Sequence, residues 1–142
     1  MRAALEALAA LRSRGHEVIV VDGGSDDETR ERAAGLCDRL IAAARGRAAQ
    51  MNAGAREASG EALVFLHVDT RLPPDADHMI FQGLRFSSWG RFDVQIESCH
   101  PLLKVVAGAM NLRSRLTGIA TGDQAIFVRR AAFPGFPEIA RM

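Results

Sequence analysis

Two aspartates, Asp22 and Asp69, each follow a short apolar run: residues 18–21 before the first and 62–66 before the second. A carboxylate so placed can accept hydrogen bonds from a base N–H or a ribose hydroxyl, or help hold a divalent cation on a diphosphate. Ligands of open α/β sheets bind beyond the carboxyl ends of the strands, so the placement predicts a crevice with carboxylates on its rim. His67, two residues before Asp69, is a second candidate metal ligand, and its imidazole favours Mn²⁺ over Mg²⁺. The competing reading is local: Asp22 closes the turn 22–25, and His67 bonds backbone at a strand end.

The elements that must position these groups follow from periodicity and punctuation. Leu5, Leu8 and Leu11 recur at helical spacing, with Gly15 placed as a C-cap. Residues 17–21 form a nearly continuous apolar run, the pattern of a strand buried on both faces in a parallel sheet. Ser25 and Glu28 then have capping-box spacing and predict a helix to about residue 36, with Ser25 in a structural role. A short strand over 39–42, a helix over 48–58, a strand over 62–67 and a helix over 75–86 complete the alternation. Residues 92–96 alternate as a half-exposed strand does, and a helix over 101–116 and a strand over 125–128 follow. The pattern predicts an α/β sandwich with a mainly parallel sheet, more mixed in its later strands.

The chain has 142 residues, 18 Lys plus Arg against 17 Asp plus Glu, and a formal net charge of +1. That length suits one domain with a real core, and the balanced charge gives no reason to expect nucleic acid as a partner. No apolar run approaches the roughly 18 residues of a membrane span. Cys37 and Cys99 are far apart and outside any CxxC motif, which indicates neither a zinc site nor a disulfide framework and suits a reducing, cytoplasmic compartment. Cys37, His16, His78 and His100 carry no signal.

The segments around these residues resemble a known family. Residues 20–29 are similar to the V-D-x-G-S-x-D-x-T signature of family 2 nucleotide-sugar glycosyltransferases, which have the GT-A fold. Residues 46–54 are similar to their Arg-then-N-x-G segment, and 65–70 occupy the place of their D-x-D metal motif, with His67 where the first Asp usually stands. Residues 90–94 and 110–128 resemble a bacterial subgroup sometimes associated with arsenosugar biosynthesis.

The resemblance implies a GT-A-like three-layer α/β/α sandwich, with a nucleotide-binding half over about 1–72 and an acceptor-side half over about 73–142. It implies a nucleoside-diphosphate sugar as donor, a hydroxyl acceptor, inversion at the anomeric carbon, and a divalent cation, Mn²⁺ or Mg²⁺. By the same resemblance Asp22, Asp26, Arg47 and Asp69 bind nucleotide, and Asp69, joined by His67, binds metal. Asp26 has an equal alternative as a first-turn carboxylate facing the helix dipole. Asn52 and Gly54 are assigned to packing between helix and sheet. Asp123 is a candidate for orienting the acceptor hydroxyl, Gln124 for bonding a sugar, Trp89 for stacking on one, and Arg113, Arg115, Arg129 and Arg130 for holding an anion. Family members begin with a further strand, and their base lies in an acidic pair expected beyond Met142, so the resemblance implies a domain short at both ends. Larger relatives attach to membranes, which adds the inner membrane face to the cytoplasm as an expected location.

His67 removes one competitor, because a haloacid-dehalogenase phosphatase needs an aspartate nucleophile there. Residues 22–25 are not G-x-G-x-x-G, which disfavours a nicotinamide site. Two alternatives remain at this stage: a nucleotidyltransferase-like enzyme on the same sheet, and a non-catalytic remnant or interaction module, for which a homodimer through an uncovered sheet edge is expected.

Overall fold

The structure is a computed structural model and describes residues 1–25, 31, 33–96, 101–118 and 124–135. Two short helices, α1 (Arg2–Ala7) and α2 (Ala9–Ser13), meet at Leu8. The predicted glycine cap is present as a Schellman turn: the His16 N–H donates to the Leu11 carbonyl (3.2 Å) and the Gly15 N–H to Arg12 (2.9 Å). Gly15 holds φ +91°, a conformation in which a Cβ would be strained.

Strands β1 (Ile19–Asp22) and β2 (Arg39–Ala42) pair in parallel, with Asp22 opposite Ala42. The bounds of β2 are those predicted. Helix α3 (Arg47–Glu57) packs on β1 at Gly54, where a Cβ would lie 3.1 Å from Val21 Cγ2. The packing role assigned to Gly54 is therefore what the structure shows.

Strand β3 (Ala62–Phe65), helix α4 (Ala76–Phe86), strand β4 (Trp89–Gly90), helix α5 (Pro101–Thr117), strand β5 (Ile126–Arg129) and a 3₁₀ segment (Arg130–Gly135) follow. Their sheet has the order β3-β5-β4, and β5 is antiparallel to both neighbours. The pairing is thus less parallel than the alternation of strands and helices predicts. Strands β3 and β4 still run in the same direction, joined across α4 as in a βαβ unit, and β5 inserts between them. Local pattern reports the crossover; only the return of the chain after α5 brings an antiparallel strand into the gap. Strand β3 also exposes Ala62 and Val64 while burying Leu63, whereas β5 buries Ile126, Phe127 and Val128. The run at 17–21, expected to be buried on both faces, has Glu17 exposed and residues 18–21 only half-buried, and β3 alternates between exposed and buried; burial on both faces belongs to the central strand β5.

Residues 92–96 are not a strand, which corrects the reading of their alternation. The Phe92 N–H donates to the Gln124 carbonyl (2.8 Å). At Val94 a side chain replaces a neighbouring strand: the N–H donates to Asn111 Oδ1 (2.9 Å) and the carbonyl accepts from Asn111 Nδ2 (3.0 Å). The amide of α5 satisfies the backbone groups that a ladder would have used.

Two carboxylates tie the helices to the parallel pair. Asp38 accepts from Arg12 Nη2 (2.7 Å) and from the Val18 N–H (2.8 Å), and these bonds, with Arg12 the larger cause, hold its carboxyl below the ordinary range. Glu17 accepts from the Ser59 N–H (2.9 Å) and Ser59 Oγ (2.8 Å), with the same direction of shift. For groups whose folded pKa is depressed, the unfolded chain binds protons more readily, so their stabilisation is present above the unfolded pKa and is lost as pH falls through the folded one. The melting temperature is therefore expected to hold steady from pH 7 to about 5 and to fall below about pH 4. Asp38→Asn should flatten the acid limb, and a Tm that rises on acidification would contradict the assignment.

Candidate functional site

Asp22 closes β1 and is buried, at 8 % exposure. Its Oδ1 accepts from the Ser25 N–H (3.1 Å) and Ser25 Oγ (2.7 Å), so the carboxylate does shape the turn that follows the strand. Those bonds also orient it at a cavity of about 250 Å³ lined by Asp22, Leu40, Ile41 and Ala42. The turn is pressed against the chain that follows β2. A Cβ on Gly23 would lie 2.6 Å from Gln50 Nε2, and Arg45 Nη2 donates to the Gly24 carbonyl (3.2 Å).

Arg45 and Gln50 therefore gather at the Asp22 turn, although only Arg47 stood out in the sequence. The available signal was the pair of arginines on either side of Gly46, whose φ of +125° starts α3. Arg47 itself is the first residue of that helix and is exposed.

His67 and Asp69 are brought together on the turn after β3. The turn is closed by the Thr70 N–H donating to the His67 carbonyl (3.0 Å), and His67 Nδ1 stands 2.5 Å from Asp69 Oδ1. The hydrogen bond from His67 is the main cause that holds the Asp69 carboxyl below its ordinary value. Both side chains are open to solvent, at 42 % for His67 and 73 % for Asp69. Among the described residues the partner of the His67 side chain is Asp69 rather than backbone. Among the described residues neither side chain is bonded to Arg47.

No group of three or more His, Cys, Asp or Glu gathers as a metal site among the described residues. Asp69 and His67 thus supply two donors from one turn. Such a set fits a cation that completes its shell with substrate phosphate and water, and does not fit a closed protein cage.

Asp26 and Asp123 lie outside the described residues, as do Glu28 of the capping box, Cys99 and His100. Gln124 is buried at 1 % exposure, which places it in the core rather than on a sugar-binding surface. Trp89 is half-buried in β4, opposite Val128. Arg129 donates through Nη2 to the Leu84 carbonyl and Arg115 through Nη2 to Asp93, so both have structural partners. Arg113 and Arg130 are exposed. His16, silent in the sequence, joins Arg14 on Asp77 (3.1 and 2.7 Å), linking the end of α2 to the first turn of α4. Cys37 is free and half-buried, and burial raises its thiol pKa.

A second cavity of about 510 Å³ lies between α4, the segment after β4, and α5. It is lined by Met79, Arg91, Phe92, Asp93, Arg115 and Phe127. No residue pattern pointed to it, because its wall is assembled from four separate stretches of chain. Among the described residues, no helix is long and apolar enough to cross a membrane.

Compared with known proteins, residues 1–86 match the family model described as glycosyl transferase family 2, which covers well over half of the chain. No curated protein matches the chain.

Proposed function

The chain belongs to glycosyl transferase family 2, and from that premise we propose that it binds a nucleoside-diphosphate sugar through Asp22, Asp26, Arg47 and Asp69 and transfers the sugar to a hydroxyl acceptor. The observation that carries this reading is the extent of the match: residues 1–86 contain all four positions, with Asp22 at the end of β1 and Asp69 on the turn after β3. The proposal includes a GT-A-like α/β/α arrangement, with the donor on the half formed by 1–72 and the acceptor on 73–142.

Asp22, already oriented by Ser25, accepts from the base or ribose. The Arg47 guanidinium matches a phosphate, which it can meet with two parallel N–H bonds. Asp69 and His67 are the residues that would hold a divalent cation; when bound, that ion offsets the charge that develops on the leaving diphosphate. In the transfer, the acceptor oxygen forms a bond to the anomeric carbon as the bond from that carbon to the diphosphate oxygen breaks. The nucleoside diphosphate leaves with the bonding electron pair, and the acceptor proton passes to a base. Attack in line with the leaving group inverts the anomeric centre. Asp123 remains the candidate that orients the acceptor hydroxyl.

UDP with Mn²⁺ tests the donor site without requiring turnover. A ligand at about 100 times its Kd stabilises the folded state by about 2.7 kcal/mol, which corresponds to a Tm rise of about 5–10 °C. Asp69→Ala should abolish the rise. Stabilisation by UTP in preference to UDP would favour a nucleotidyltransferase instead, and the absence of any shift with uridine, guanosine or thymidine diphosphate, with or without metal, would overturn the proposal.

A further inference from the structure

The second cavity has a composition unlike the Asp22 and Asp69 sites. Its floor is apolar: the rings of Phe92 and Phe127 meet edge to face with centroids 5.6 Å apart, and Met79 stays 46 % exposed beside them. Its rim is ionic. Arg91 Nη1 donates to Asp93 Oδ1 (2.6 Å), and Arg115 Nη2 donates to Asp93 Oδ2. One carboxylate thus bridges two guanidinium groups, and these three are the ionisable groups that line the cavity.

The two arginines are held differently. Arg91 is nearly buried, at 11 % exposure, and is fixed further by donating to the Phe92 carbonyl (3.2 Å) and the Asn111 carbonyl (3.1 Å). Arg115 is 67 % exposed and uses only Nη2 among the described residues, so its other N–H groups remain for a ligand. Among the described residues, the three lining groups sum to one positive charge beside an apolar floor. A guanidinium meets a carboxylate with two parallel N–H bonds, and the apolar floor favours an anion that carries an apolar body. The cavity, about 510 Å³ and open to solvent on one side, has room for a small organic ligand.

We propose that this cavity binds an amphiphilic carboxylate, with its apolar or aromatic body on Met79, Phe92 and Phe127 and its anion on Arg115, and that it seats the acceptor of the transfer. The first part stands on the cavity itself; the second rests on the transferase reading. Of the lining residues only Met79 falls within the matched residues 1–86, so the site belongs to the part of the chain that the family match does not describe.

Phenylacetate and its neutral isostere phenylacetamide test the proposal on the full chain, by NMR titration of the Arg91, Phe92 and Asp93 amides and the Met79 methyl. Phenylacetate should shift these signals saturably, and phenylacetamide should bind about tenfold more weakly, the difference expected for one exposed charge-assisted pair. Arg115→Gln, at an exposed position, should bring phenylacetate to the affinity of phenylacetamide and leave phenylacetamide unchanged. Equal affinities in the parent chain, no saturable shift, or an unaltered preference in Arg115→Gln would each overturn the site. Titration of UDP with Mn²⁺ into the same sample separates the two claims. Carboxylate binding without UDP binding removes the acceptor role and keeps the site; UDP binding without carboxylate binding removes the site and keeps the transferase reading.

Discussion

Phe127→Ala is expected to cost about 3–5 kcal/mol, the range for emptying a phenylalanine site in a packed core. The ring is 7 % exposed, packs with Ile80 and Leu84 of α4, and carries Phe92 against it. It sits on the central strand of the three-stranded sheet, so the vacancy would open between β4, β5 and α4 at once. Total stabilities of 5–15 kcal/mol are usual, so a loss of this size should lower Tm by about 10 °C or more and broaden the transition. Phe127→Leu keeps most of the apolar volume and should cost about 1.5 kcal/mol or less. Chemical denaturation of the parent and both variants checks the order. An alanine variant that melts with the parent would show that the ring is not part of the core.

The second large effect comes from the opposite change at the same contact. A Cβ on Gly90 would lie 2.4 Å from Phe127 Cζ and 2.6 Å from Cε2, far inside van der Waals contact. The ring cannot yield freely, because a Cβ on Gly83 across from it would be only 3.3 Å from Cε2. Gly90→Ala is therefore expected to destabilise by about 1–3 kcal/mol through overpacking. The need for glycine here is one of space. In a Phe127→Leu background the penalty should shrink, and the double-mutant cycle should give a coupling of at least about 1 kcal/mol. Additive costs in that cycle would place the strain elsewhere.

The two strand-following carboxylates, Asp22 and Asp69, stood out because their signals are local. An apolar run and a carboxylate just past its end lie within a few residues of one another at Asp22 and again at Asp69, and at Asp22 a Gly-Gly turn follows directly. His67 was a candidate ligand from its place in the segment that resembles a D-x-D motif, but its bond to Asp69 is a property of the folded turn. Arg45 was not singled out because its tie to Gly24 spans 21 residues, and Gln50 meets Gly23 only when α3 docks on β1. The cavity between α4, the segment after β4 and α5 had no local signature at all. Asp93 looked like the polar member of an alternating strand and proved to be the bridge between Arg91 and Arg115.

The sequence by itself determined several of the elements: the Leu5, Leu8 and Leu11 stripe with its Gly15 cap, β2 to the residue, and the α4 helix. These depend on side-chain periodicity and backbone permissiveness, which act over a turn or two of chain. Only the tertiary structure decided strand polarity and the fate of residues 92–96. Strand β5 could enter the sheet antiparallel because α5 carries the chain back, and Asn111 of that helix could take over the backbone bonds of Val94. Hydrogen-bond demand is written in every residue, but the partner that meets it is chosen by whatever the fold brings within 3 Å.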